Sequence, residues 1–180
     1  RDISDVFVFY SGHGAAEPTG KKGYLVPVNC DPKEVRLNGY SLDLLYRNLA
    51  QIPAKSFSVV IDACCSGSSQ AGPLVTGLSP ITPEIDNPLL SMDNATVLTA
   101  SSGSEVSGWY HEKRHGLFTY FFLKALSGAA DDGDGELTVS EVRRYVTDDV
   151  NGVPYWARRL HGVDQHPQVR GPDDGVLVTY

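Results

Sequence analysis

The run Phe57-Ser-Val-Val-Ile-Asp-Ala-Cys-Cys-Ser-Gly67 constrains the chain more than any other stretch, because an apolar segment ends abruptly in an acid, two thiols and small residues. Three consecutive β-branched residues, Val59, Val60 and Ile61, suit a strand covered on both faces of a parallel sheet. Open parallel sheets carry their chemistry just beyond the carboxyl ends of the strands. A second stretch has the same form, since Val6-Phe-Val-Phe-Tyr10 runs straight into Ser11-Gly-His-Gly14. Two strands are therefore expected to end in the two halves of a Cys/His pair, Cys64 and His13.

Hydrolysis of an amide by a thiol needs a thiolate, a proton shuttle and donors for the oxyanion. Cys64 and His13 supply the first two. Either residue alone would read as a buried core thiol or a turn histidine. Together, each at the end of an apolar strand and ringed by small residues, they read as nucleophile and base. Cys65 reads as packing, and Cys30, His111, His115, His161 and His166 as structural or solvated, since none has metal-ligand spacing to another His or Cys.

Tyr10-Ser-Gly-His-Gly14 followed by Asp62-Ala-Cys-Cys-Ser-Gly67 resembles the caspase-like cysteine peptidases, with metacaspases and their bacterial relatives nearest. Tyr24-Leu-Val-Pro27, His115-Gly-Leu-Phe-Thr-Tyr120 and Gln165-His-Pro-Gln168 extend the resemblance over most of the chain. It implies a caspase-like three-layer α/β sandwich, with a mostly parallel central sheet flanked by helices, over residues 1–180. The family's amino-terminal strands are expected to be missing from this chain. It implies Cys64 as nucleophile, His13 as proton shuttle, and the backbone amides of Gly14 and Cys64 as the oxyanion hole. It further implies that Asp62 lines the pocket for the residue preceding the cut, where a carboxylate favours arginine or lysine. Ser101 and Ser102, at the end of the Thr96–Ala100 strand, are expected beside the other two strand ends as substrate contacts.

The implied function is a cysteine endopeptidase that cuts polypeptides after basic residues; the alternative is a caspase-fold scaffold or binding module without productive catalysis. No metal or cofactor is implied, and the resemblance allows calcium activation at no site that the sequence assigns. The Val6–Tyr10 strand is too apolar for an exposed edge, so the amino-terminal portion of the same protein is expected as a second chain covering it.

At 180 residues the chain suits one domain. A net charge of −7 provides no basic patch, which argues against nucleic acid as the main partner. Three cysteines cannot all pair, and two are adjacent, which fits reduced thiols in a cytoplasmic setting. No signal-like start or long apolar span suggests a membrane.

Ser41 reads as the N-cap of a helix carrying Leu42, Leu45, Tyr46 and Leu49. Residues 66–94, rich in Ser, Gly, Pro and Thr, read as a long surface loop. Leu117, Phe118, Phe121, Phe122 and Ala125 form an apolar helical stripe. Asp131-Asp-Gly-Asp-Gly-Glu136 resembles an EF-hand loop, but Ala130 occupies the first ligand position, which favours an acidic turn leading into a Thr138–Glu141 capping box. Val142, Tyr145, Val146 and Val150 are expected to carry the last helix, and residues 175–180 an edge strand. No lysine or arginine lies between Cys65 and Ala95, so self-cleavage after basic residues is expected at Lys21-Lys22 or Lys113-Arg114.

Overall fold

A computed structural model describes residues 3–17, 22–31, 34–63, 68–69, 72–73, 85–103 and 105–180. The chain opens with β1 (Asp5–Ser11), β2 (His13–Ala16) and β3 (Gly23–Val26), followed by α1 (Val35–Asn38), β4 (Tyr40–Ser41) and α2 (Leu42–Leu49). Next come β5 (Ser56–Asp62), the two-residue strands β6 (Ser68–Ser69) and β7 (Gly72–Pro73), and β8 (Ala95–Thr99). A hairpin of β9 (Trp109–Tyr110) and β10 (His115–Gly116) leads into α3 (Leu117–Lys124). The remainder is β11 (Glu136–Thr138), α4 (Val139–Val146), α5 (Val153–His161), β12 (Gln168–Arg170) and β13 (Val176–Thr179).

The main sheet runs β1-β5-β8-β12, with the first three strands parallel and β12 antiparallel at the edge. Strand alternation assigns the two faces of β5. Phe57, Val59 and Ile61 pack with Leu42, Tyr46 and Leu49 of α2, while Val60 faces the core built on α3, α4 and α5. The result is a helix–sheet–helix sandwich, and it directs Asp62, two residues after Val60, toward α3. Leu117, Phe118, Phe121, Phe122 and Ala125 are all buried in that second core, as the stripe predicts. Each fully buried side chain of this size contributes about 1.5–3 kcal/mol.

Local signals explain the helix starts. The Ser41 hydroxyl accepts from the Leu44 amide at 3.4 Å. The Thr138 hydroxyl accepts from the Glu141 amide at 3.3 Å, and the Glu141 carboxylate returns to the Thr138 amide at 2.8 Å.

Two expectations differ from what is observed. Val150 is not in a helix: α4 ends at Val146, and the Asp148 side chain accepts from the Val150 and Asn151 amides at 2.6 and 3.0 Å, turning the chain first. The last helix is instead α5, which begins with a proline in its first turn and ends at Gly162 in the left-handed region. The stretch 66–94 is not loop to its end, because a 3-10 turn over Pro88–Ser91 buries Leu89 against α2 and β8. The terminal strand β13 is an edge strand, as expected, and pairs with β11 in a separate two-stranded ribbon.

Candidate active site

Parallel pairing aligns the ends of β1 and β5. Ser11 pairs with Asp62, and the Gly12 amide donates to the Asp62 carbonyl at 3.0 Å, one residue before His13 and two before Cys64. Cys64 and Cys65 lie outside the described residues, and with them one of the two amides expected to form the oxyanion hole. His13 is exposed at the start of β2, where Gly14 is buried and pairs opposite Leu25.

Tyr10 fixes this turn, a role its place in the motif did not reveal. Its hydroxyl donates to the His13 carbonyl at 2.8 Å and lies 3.2 Å from the Val26 carbonyl. The ring sits so close beneath Gly12 that a Cβ there would lie 2.8 Å from the hydroxyl oxygen. A larger residue before His13 would therefore have to displace the Tyr10 ring that holds this turn.

Asp62 is only 4% exposed. Its Oδ1 accepts from Ser107 Oγ at 2.7 Å; its Oδ2 accepts from the Thr119 amide at 3.2 Å and from Thr119 Oγ1. Thr119 belongs to the first turn of α3, whose N-cap, Gly116, has no side chain to supply. The strand-end carboxylate therefore caps the helix from outside. A Cβ on Gly116 would collide with Asp62 Oδ2, so this approach needs glycine. Among the described residues no lysine, arginine or histidine forms an ion pair with Asp62.

Ser101 and Ser102 stand at the end of β8, beside the end of β5, with the Ala100 amide donating to the Ile61 carbonyl at 3.0 Å. With Ala63, Ile61, Leu42 and Tyr46 they line a recess of about 270 Å³ on the α2 face. Asp62 points to the opposite face. The candidate residues thus share one sheet edge but two sides of it: the serines beside the recess, the carboxylate toward α3.

The sequence assigns no role to Glu105, Ser107, Thr119 or Gln165, and it marks His166 as structural or solvated. Gln165 is completely buried; its Nε2 donates to the Ala100 carbonyl at 2.9 Å and its Oε1 accepts from the Gly108 amide at 2.8 Å. Glu105 Oε1 lies 2.6 Å from His166 Nδ1. Partial burial on its own would raise the Glu105 carboxyl, but the bonds from His166 and Ser102 outweigh it, so its pKa lies below the usual carboxylate range.

The carboxylates of Asp131, Asp132 and Asp134 approach within 4.8 Å of one another and could together hold a cation. Glu141, the last ligand position of an EF-hand register, is instead bonded to the Asp132 amide at 2.9 Å and to Thr138. The capping-box reading of this segment therefore holds.

The family model for the caspase domain, Peptidase C14, matches residues 1–172. Among solved structures, the crystal structure of caspase-1 from Spodoptera frugiperda is similar at 14% identity and a TM-score of 0.49, covering 97% of this chain and 60% of that one. The chain thus spans 60% of that structure's length. No curated protein matches the chain.

Proposed function

Because the chain belongs to the caspase-domain family, whose members are cysteine peptidases, we propose that it is an endopeptidase in which Cys64 attacks the scissile carbonyl and His13 moves the proton, with cleavage after arginine or lysine. The observation that carries this reading is the register of the two strand ends: the residue before His13 is hydrogen-bonded to Asp62, two residues before Cys64. In the proposed reaction His13 takes the thiol proton, the thiolate adds to the carbonyl, and the amides of Gly14 and Cys64 receive the oxyanion. His13 then protonates the leaving amine, and water, deprotonated by the same imidazole, hydrolyses the thioester.

Basic specificity is supported by the state of Asp62. Among the described residues no cation lies beside this buried carboxylate, which is electrostatically costly, and its Oδ1 has one donor, Ser107, which leaves a lone pair for a further one. An incoming guanidinium or ammonium would meet both needs. Ser101 and Ser102 are proposed to contact the substrate from the neighbouring strand end.

The polypeptide substrate is one partner and a segment of the same protein is the other. The outer edge of β1 pairs with no described residue, while Phe7 and Phe9 are 59% and 45% exposed on one face of it. We assign that edge to amino-terminal strands of the same protein. The reading is tested by comparing fluorogenic peptides ending in Arg, Lys and Asp on the intact protein. Preference for Asp over Arg would refute the specificity.

A further inference from the structure

The loop that follows β8 is fastened with unusual thoroughness for a segment at the open end of a sheet. At its two ends, the fully buried Gln165 bridges the Ala100 carbonyl and the Gly108 amide. In its middle, Glu105 Oε2 accepts from the Ser102 amide at 3.1 Å and from the His166 amide at 2.8 Å, while Oε1 meets His166 Nδ1 at 2.6 Å. Ser107, near its far end, donates to Asp62. One carboxylate thus joins the main chain that carries Ser101 and Ser102 to the segment leading into β12.

We propose that Glu105, together with His166, is a positioning pair for the polypeptide substrate: it holds the loop bearing Ser101 and Ser102 preset at the end of β8, so that substrate meets ordered backbone. The inference rests on the peptidase function proposed above. Among the described residues the Glu105 carboxylate bonds the Ser102 amide and the amide and ring of His166, and neither side chain is bonded to His13 or Asp62, so the pair acts through the loop and not on the reacting atoms. A charged acceptor suits the task because three donors converge on it, and such bonds are stronger and more directional than neutral ones. Without it, the residues around Ser102 would have to be ordered on each binding event, which weakens binding without changing the chemical step.

The test uses the intact protein with Glu105→Ala and His166→Ala, a fluorogenic arginine peptide, and hydrogen exchange of the 100–108 segment. Glu105→Ala is expected to raise KM about ten- to hundredfold, with kcat changed by less than about threefold. His166→Ala, which keeps its backbone donor and alters a partly exposed ring, is expected to raise KM about three- to tenfold and to remain folded. Both variants should exchange the Ser102 amide faster. Unchanged KM and unchanged exchange in the two variants would overturn the positioning role, as would a fall in kcat alone. An unaltered protein that hydrolyses no arginine peptide would overturn the proposed peptidase instead, and the exchange comparison would still decide whether the pair orders the loop.

Discussion

Removing the Asp62 side chain should unfasten β5 from α3 as well as empty the proposed basic pocket. The carboxylate accepts from Ser107 Oγ at 2.7 Å, from the Thr119 amide at 3.2 Å and from Thr119 Oγ1, all where solvent is nearly excluded. Hydrogen bonds to a charged acceptor contribute about 1.5–3 kcal/mol each, and a negative charge at a helix start adds about 0.3–1 kcal/mol. Against these stands the desolvation of the carboxylate, several kcal/mol, which the alanine variant no longer carries. Truncation removes that charge and leaves the Ser107 hydroxyl and the Thr119 amide and hydroxyl without this acceptor, which costs on balance about 3 kcal/mol, a fall in Tm of about 6–12 °C for a domain of this size. Asp62→Asn has the same shape and can keep an acceptor for Thr119 and a donor for the Ser107 hydroxyl, so it should cost only about 1 kcal/mol. Its charge is gone, so kcat/KM on arginine peptides should still fall about ten- to hundredfold. Thermal unfolding of both variants beside kcat/KM on arginine and neutral peptides separates the two effects. An Asp62→Ala protein melting within about 2 °C of the unaltered one would refute the capping network.

His161 Nε2 is buried without a hydrogen-bond partner among the described residues. Burial, reinforced by His111 and opposed by backbone bonds at Trp109 and Leu160, holds its pKa below the usual histidine value. The unfolded chain therefore takes up the proton first, and stability should fall as pH drops from about 6.5 toward the lower folded value; His161→Gln should flatten Tm over that window, and an unchanged slope would contradict it. Phe118→Ala, in the fully buried stripe of α3, should cost about 3–5 kcal/mol, read by denaturant unfolding; a loss below about 1 kcal/mol would contradict the packing. With Glu141 engaged by Asp132 and Thr138, Asp134→Ala should leave any calcium response intact, and its loss by titration would show the acidic turn to be the calcium site. If the protein cuts after basic residues, new amino termini should arise at Lys21-Lys22, of which Lys21 lies outside the described residues, or at Lys113-Arg114 in the exposed turn between β9 and β10. Termini within residues 66–94, seen in the active protein and not in Cys64→Ala, would contradict that specificity.

The parts of the fold that follow a short-range pattern could be read directly. Val59-Val60-Ile61 became a strand buried on both faces, the Leu117–Ala125 stripe became the core-facing side of α3 and its C-cap residue, and the Ser41 and Thr138 caps fell where their side chains can reach the first turn. Elements held by distant partners could not. β12 is three residues with no apolar period, and it is a strand because β8 offers an edge. α5 lies between Gly152 and Gly162 and carries a proline, signals that read equally as breaks. The strands that end at Ser11 and Asp62, just before His13 and Cys64 in sequence, were legible because each apolar run is continuous, while Cys64 itself lies outside the described residues. The network around Asp62 was not: Ser107 and Thr119 lie 45 and 57 positions away, and Glu105 reaches His166 across 61. No local spacing encodes such contacts, which arise only when β5, β8 and α3 are stacked.

The central claim is that the sheet edge joining β1 to β5 carries a Cys64/His13 dyad. Hydrolysis of a fluorogenic arginine peptide by Cys64→Ala, His13→Ala and Cys65→Ala, with circular dichroism to confirm the fold, tests it most directly. The first two should fall to background, a loss of at least about a thousandfold, while Cys65→Ala keeps most of the unaltered rate. An active Cys64→Ala protein, or a Cys65→Ala protein that is the inactive one, would contradict it.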